Sequence, residues 1–310
     1  MTMNTLTIEG RQLFDQVYDQ FGNHQVNEGM LNLMRGLFGL RRGARPEEWR
    51  EFSQGVWQEH PLKQLAHQDP FTRRAYEKPR GYAGDAELLD YIYGLQMMPR
   101  DTTCLGAAIF SFMFQDPAPR AVRARRDLLA AYIDAIATRI DKPRILAVAC
   151  GHLREAQKSV AVCEGRIGQF IALDQDQASL AVIKGEQETN GVEAIHGSVK
   201  SILKGETIFE DLDFVCSTGL YDYLPQPVAI DLSAKLFGML KPGGQLLVAN
   251  FLHDVPNVGY MESFMGWPLI YRNDEELAGV TQGIPATRIA AQRTFHDRFE
   301  NVVFLEVEKQ

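Results

Sequence analysis

The stretch Ile145-Leu146-Ala147-Val148-Ala149-Cys150-Gly151-His152-Leu153-Arg154-Glu155-Ala156 reads as an apolar strand that runs into a glycine turn and then a helix. Gly151 suits such a turn because, lacking a Cβ, it takes positive φ or lets another backbone come close. In a parallel sheet a ligand then lies over the carboxyl end of the strand, near the exposed N–H groups of the next helix. The dinucleotide fingerprint Gly-x-Gly-x-x-Gly uses its second glycine to admit a pyrophosphate. Here His152 and Leu153 follow Gly151. A diphosphate would meet side chains where it needs bare backbone, so a nicotinamide dinucleotide is disfavoured.

Downstream, Phe170-Ile171-Ala172-Leu173-Asp174-Gln175-Asp176 ends a second strand on an acid. An acid about 20 positions beyond the glycine turn is placed to accept hydrogen bonds from ribose hydroxyls. Asp174 fits that role for any nucleoside; alternatively, Asp174 or Asp176 caps the next helix. A third strand leads to Ile195-His196-Gly197-Ser198-Val199, where a base would be recognised. A fourth leads to Ser217-Thr218-Gly219-Leu220-Tyr221-Asp222-Tyr223-Leu224, which puts polar and aromatic groups over the carboxyl edge. Leu240-Lys241-Pro242-Gly243-Gly244 then gives a helix end and a turn before a buried strand that ends at Asn250.

Short apolar runs alternating with helical stretches are the signature of βαβ units around a parallel sheet. Strands are expected at 145–149, 169–174, 193–196, 212–216 and 245–251, and helices near 154–163, 176–190 and 226–240. The tail runs 287–295 and 302–307 resemble a closing antiparallel hairpin. Before residue 140 the pattern is helical instead. Leu13, Phe14, Val17, Tyr18 and Phe21 recur at three-and-four spacing, as do Leu31, Met34, Leu37 and Phe38. Pro46 with Glu47 and Glu48 opens another helix, and others fit 85–96, 102–115 and 118–140. The expected division is an all-α domain over 1–140 and an α/β domain over 141–310.

The 310 residues carry 40 acidic and 32 basic side chains, a net charge of −8, which argues against a general nucleic-acid or anionic-membrane binder. No stretch reaches the roughly 18 uninterrupted apolar residues of a membrane span, and Leu105–Phe114 reads as a buried helix. Met1-Thr2-Met3-Asn4-Thr5 has no basic segment followed by an apolar core, so no secretory signal is expected. Cys104, Cys150, Cys163 and Cys216 stand far apart, which suits buried free thiols in a cytoplasmic protein. Neither they nor the scattered histidines have metal-ligand spacing.

Over residues 140–310 the order of the Cys-Gly turn, the acid ending strand two, the strand-four loop, the Leu-Lys-Pro-Gly-Gly turn and the terminal hairpin resembles the class I S-adenosylmethionine (SAM)-dependent methyltransferases. That resemblance implies a Rossmann-like, seven-stranded, mostly parallel sheet with a terminal antiparallel hairpin. It implies SAM as cofactor, S-adenosylhomocysteine (SAH) as product and no metal. SAM has no phosphates, which agrees with the missing glycines. Lys78-Pro79-Arg80-Gly81-Tyr82-Ala83-Gly84-Asp85, Asp116-Pro117-Ala118-Pro119-Arg120-Ala121-Val122-Arg123 and Gly259-Tyr260-Met261-Glu262-Ser263-Phe264-Met265-Gly266-Trp267-Pro268-Leu269-Ile270-Tyr271-Arg272 add a narrower likeness. They resemble a bacterial branch with a helical N-terminal extension, which includes methyltransferases assigned to 3-hydroxy fatty-acid methyl ester (extracellular factor) biosynthesis and to natural products.

The resemblance implies cofactor contacts from Tyr82, Ala149, Cys150, Gly151, Arg154, Glu155, Asp174, Gln175, Gly197, Ser198, Val199, Ser217, Thr218 and Gly219. Acceptor contacts fall to Tyr223, Asn250, Tyr260, Tyr271 and Arg272; Trp267 reads as core, and Arg272 could grip a carboxylate with two hydrogen bonds. Tyr82 and Tyr221 are candidates for positioning the reaction, and no catalytic base is nominated. Arg80–Asp85 reads as a lid, or as a turn in which Asp85 caps the next helix. Arg120, Arg123, Arg125 and Arg126 form a solvated helix face, or one of them points at a carboxylate of SAM or substrate. The expected partner is a small-molecule acceptor, with a homodimer as the other association considered. The favoured reaction is carboxyl O-methylation of a hydroxy-acid-like metabolite. N- or S-methylation of an amino-acid-like compound and non-catalytic SAM binding are the alternatives.

Overall fold

Apolar residues at three-and-four spacing make the first part of the chain helical, because each helix then has one stripe to bury. In the computed structural model, which describes residues 5–187 and 191–310, helix α1 (Thr5–Gly22) buries Phe14, Val17 and Phe21. Helix α2 (Val26–Gly43) buries Met30, Leu33 and Leu37. Residues 1–4, where the expected helical domain and the leader reading begin, and 188–190, the end of the helix expected at 176–190, lie outside the described residues. Helix α3 (Pro46–Gln54) opens on proline with Glu47 and Glu48 in its first turn, as expected. After α4 (Leu62–Ala66), the buried Asp69 caps α5 (Pro70–Glu77) by accepting the N–H groups of Phe71 and Thr72 at 3.1 and 2.9 Å. Asp85 caps α6 (Ala86–Tyr93) through the Leu88 N–H at 2.8 Å, and Arg74 forks onto its carboxylate at 2.9 and 2.7 Å. Thr103 caps α7 (Cys104–Gln115), and α8 (Pro117–Arg139) follows. Helix α7 buries only Gly106, Ile109 and Met113, so it is half-buried where a buried helix was expected. No described helix is long and apolar enough to cross a membrane.

The chain divides into two compact units, Met1–Arg120 with Asp254–Pro268, and Ala121–His253 with Leu269–Gln310. In the second unit, β1 (Arg144–Val148) leads through α9 (Val160–Cys163) to β2 (Gln169–Asp174). Then come α10 (Gln177–Gln187), β3 (Val192–His196), α11 (Val199–Leu203), β4 (Leu212–Ser217), α12 (Gln226–Gly238) and β5 (Leu240–Phe251). The chain passes through α13 (Val258–Ser263), which belongs to the first unit, and ends with α14 (Asp274–Ala278), β6 (Ile289–His296) and β7 (Val302–Lys309).

The seven-stranded sheet has the order β3-β2-β1-β4-β5-β7-β6. Strands β1 to β5 pair in parallel, and β7 runs antiparallel between β5 and β6. Leu146, Val148, Ile171, Leu173, Val215, Leu246 and Val248 supply one core with Leu232, Leu236 and Phe237 of α12. The expected Pro242-Gly243-Gly244 turn is an irregular start to β5. Gly243 has φ +76°, and a Cβ on Gly244 would stand 2.8 Å from the Leu212 carbonyl oxygen. The pairing register shifts at that point.

Two further expectations need correction. The helix after β1 begins at Val160, not Arg154; residues 151–157 are a succession of turns. The reason is local. Leu153 and Ala156 curl inward to full burial, and the first helix cap is Ser159, whose Oγ accepts the Val162 N–H at 3.2 Å. Asp134 of α8 holds that cap, accepting Ser159 Oγ–H at 2.6 Å and the Ala161 N–H at 2.8 Å. The cysteines are not all buried either: Cys216 is, Cys150 is half-buried, and Cys104 and Cys163 are exposed.

Candidate active site

Parallel pairing brings the ends of β1 to β4 to one edge of the sheet in the second unit, so the loops after them share that edge. The loop after β1 alternates through left-handed backbone: Ala149 at φ +53°, Gly151 at +55° and Leu153 at +50°. Gly151 therefore takes the conformation for which glycine was required. A bond from the Cys150 N–H to the Leu173 carbonyl oxygen, 3.3 Å, prolongs the pairing of β1 with β2. Ser217 Oγ donates to the Val148 carbonyl oxygen at 3.0 Å and ties the end of β4 to that of β1.

Asp174, 5% exposed, is the joint of this edge. One carboxylate oxygen accepts the Gly151 N–H at 2.8 Å, the other the Asp176 N–H at 2.8 Å, and its carbonyl accepts the Gly197 N–H at 3.0 Å. The acid organises a turn, and its carboxylate retains lone pairs for further donors. Burial raises its pKa, and the backbone N–H groups of Asp176, Gly151 and Gln175 act in the opposite direction. Gln175 is exposed beside it. Ser198 caps α11 and exchanges hydrogen bonds with Ser201, while Val199 packs against the core. The expected approach of a ligand to the N–H groups of the helix after β1 is not available, because α9 is four residues long and capped by Ser159.

Arg154 pairs with Glu186 of α10. Glu155, 8% exposed, sits in the turns after β1, and burial pushes its carboxyl up to about 7, against the pull of Arg125 and Arg126. Burial also raises the Cys150 and Cys216 thiols. Thr218 is buried and Gly219 exposed at the end of β4.

The positioning candidates Tyr82 and Tyr221 and the acceptor candidates separate. Tyr82 lies in the turn before α6, and Tyr260 lies on α13; both belong to the first unit. Tyr260 is fully buried, with its hydroxyl 2.9 Å from Thr72 Oγ1, and Trp267 is buried in the same unit. In the second unit Tyr223 is exposed and Tyr271 is buried near the His253 ring. Tyr221 is fully buried with its hydroxyl 2.8 Å from Ser233 Oγ, so it is a core residue rather than a group that meets an acceptor. Arg272, 2% exposed, donates to Gln226 Oε1, Asn250 Oδ1 and the carbonyl oxygens of Tyr221 and Leu224 at 2.6–2.8 Å. Asn250 donates to the Ile270 carbonyl oxygen at 2.8 Å. Arg272 clamps the loop after β4 and Asn250 ties it to the backbone at Ile270, so the donors of Arg272 expected to grip a carboxylate are taken up by the protein itself.

One residue escaped the sequence reading and another was left between two readings. Asp222 is buried and accepts the Phe251 N–H at 2.7 Å, binding the loop after β4 to the end of β5; burial pushes it up to about 6. Arg125, one of a run read either as a solvated helix face or as carrying an arginine that points at a carboxylate, is buried and donates to the Thr218 carbonyl oxygen at 2.6 Å. Its spacing was the available signal, because Ala121, Arg125 and Leu129 fall one helical turn apart.

Among the described residues no group of three or more His, Cys, Asp or Glu side chains is placed to hold a metal ion. No family model matches the chain, and no curated protein matches it. Among solved structures, a possible exported protein from Bordetella parapertussis is 17% identical with a TM-score of 0.60, and the match covers 92% of this chain and 96% of that one. Magnesium protoporphyrin IX methyltransferase from Synechocystis PCC 6803, with bound SAH, is 11% identical with a TM-score of 0.50, covering 78% of this chain and all of that one, 100%. At these identities the likeness is one of fold: the chain has the Rossmann-like sheet of the methyltransferases, with a helical region ahead of it.

Proposed function

We propose that this protein is a SAM-dependent methyltransferase acting on a small-molecule acceptor, with a carboxylate of a hydroxy-acid-like metabolite as the methylated group. The observation that carries the class is Asp174. A buried acid at the end of β2 holds the Gly151 turn at the end of β1 and keeps lone pairs free, which is the arrangement a ribose diol needs. The absence of a bare Gly-x-Gly backbone is no obstacle, because SAM brings no phosphate. The SAH bound in the Synechocystis neighbour of like fold adds weight.

When bound, SAM would supply a methyl carbon made electrophilic by its sulfonium, with sulfur as the leaving group that keeps the electron pair. The task left to the chain is to hold the acceptor in line and keep water out. Asp174 and the backbone of the turn after β1 would fix the nucleoside, and the loop after β4 would border the reacting atoms. Tyr221 and Asp222 in that loop are committed to Ser233 and to the Phe251 N–H, so neither is placed to take a proton from an acceptor. That favours a nucleophile that needs no deprotonation, and a carboxylate is one. The test is methyl transfer to a panel of hydroxy acids, amines and thioethers, read as SAH released. Turnover confined to acids, with a base-labile ester as product, supports the assignment; turnover confined to amines or thioethers refutes the carboxylate.

A further inference from the structure

We propose that the groove between α2 and α7 binds a small organic amine, with its protonated nitrogen against the buried carboxylate of Asp116 and its apolar body along the helix walls. The groove lies wholly within the first unit and shares no residue with the sheet edge assigned to SAM.

Both helices carry more apolar surface than their packing covers. Helix α2 turns Met30, Leu33 and Leu37 into the core, yet Leu31, Met34 and Phe38 recur at helical spacing as a second stripe that lines the groove. Leu31 is 39% exposed. Helix α7 has no charged residue over Cys104–Gln115 and buries only three of its residues, which leaves Phe112 half-buried in the opposite wall. The space between these walls is about 780 Å³, a volume that suits a small-molecule site.

Asp116 supplies the charge. It joins α7 to α8, lines the groove and is 8% exposed. Its Oδ1 accepts the Ala118 N–H at 3.2 Å and so caps α8; Oδ2 has no partner among the described residues, and no cation pairs with the carboxylate. Capping needs one oxygen and no burial. Here the whole group is withdrawn from water, and that burial pushes its carboxyl up to about 6, opposed only by the Ala118 N–H. A buried charge is costly unless it is paired, so the site favours a cation that brings its own apolar body. The other charges nearby are exposed: Glu28 and Arg35 of α2 line the groove, Arg42 lies over the Phe38 ring at 5.7 Å, and Arg120 is one turn along α8. An anion would meet only hydrated arginines, whereas a cation meets an acid already stripped of water.

The test is calorimetric titration with 4-phenylbutylamine, 4-phenylbutanol and 4-phenylbutyrate, which share one apolar body and differ in charge. At pH 8 the wild type should bind the amine about 10-fold or more tighter than the alcohol, the worth of a hydrogen bond to a charged group, and the acid most weakly. At pH 5 Asp116 holds a proton, so the amine should lose about 10-fold in affinity while the alcohol is unchanged. Asp116→Asn keeps a capping oxygen; in it the amine should fall to the level of the alcohol at both pH values. Ser111→Trp, at an exposed position of α7 in the groove, should weaken amine and alcohol together. The proposal is overturned by the acid binding ahead of the amine, by an amine affinity in Asp116→Asn within twofold of wild type, or by no saturable binding of any probe. Unchanged binding in Ser111→Trp would place the ligand elsewhere and overturn it equally. Should Asp116→Asn fail to fold, the pH comparison and Ser111→Trp decide.

Discussion

Asp174 and Arg272 both read in sequence as charged residues available to a ligand, and the structure separates them by what their hydrogen bonds reach. Asp174 holds backbone N–H groups with lone pairs to spare. Asp174→Ala should therefore weaken SAH binding by about 10- to 100-fold, the worth of hydrogen bonds to a charged group, measured by calorimetry beside a circular dichroism check of the fold. An affinity within twofold of wild type would remove it from the ribose site. Arg272 faces the other way: its donors are held by Gln226, Asn250 and two carbonyl oxygens of the loop after β4. Arg272→Ala leaves those buried acceptors unmatched and should lower stability by about 3 kcal/mol or more. A variant of wild-type stability with a raised KM for an acidic acceptor would restore the ligand grip. An arginine's residue type announces its charge but not whether a ligand or a carbonyl will meet it, so this distinction was not legible in advance.

The strand elements were the most legible part of the fold. Strand β2 occupies Gln169–Asp174, the span its apolar run predicts, because a strand buried on both faces leaves an uninterrupted signal. Helix α9 was not legible, because Arg154, Glu155 and Ala156 have good helix propensity while the burial of Leu153 and the cap at Ser159 decide where the helix starts. Ser159→Ala should cost about 1 kcal/mol, read from denaturant unfolding; a change below a few tenths would mean that Asp134 alone caps α9. Ala149 at φ +53° is exposed and carries a Cβ in a left-handed conformation. Ala149→Gly should stabilise the second unit by up to about 1 kcal/mol, since glycine adopts this backbone without strain. Destabilisation by a similar amount would show that the alanine side chain contributes packing that outweighs its strain.

Composition fixed the class of partner only in outline: a net charge of −8 argues against nucleic acid, and nothing in it names an acceptor. The buried acids give a sharper expectation for pH. Burial raises Asp69, Asp116 and Asp222 from an ordinary 3.8 to about 6, and Glu155 from 4.5 to about 7. For such acids the folded state binds more protons than the unfolded state between the two values, so stability falls as pH rises through about 4 to 7 and is flat above. Asp69 and Asp116 lie in the first unit, Glu155 and Asp222 in the second, so both units should respond in the same direction. The melting temperature should be higher near pH 5.5 than at pH 8, and Glu155→Gln should reduce the difference; a profile that rises with pH would contradict this. Function is decided by calorimetric titration of the wild-type protein with SAM and SAH, with NAD alongside. Saturable binding of both sulfur nucleosides and none of NAD is the expected result. Binding of NAD, or of none of the three, would contradict the assignment of this sheet edge to SAM.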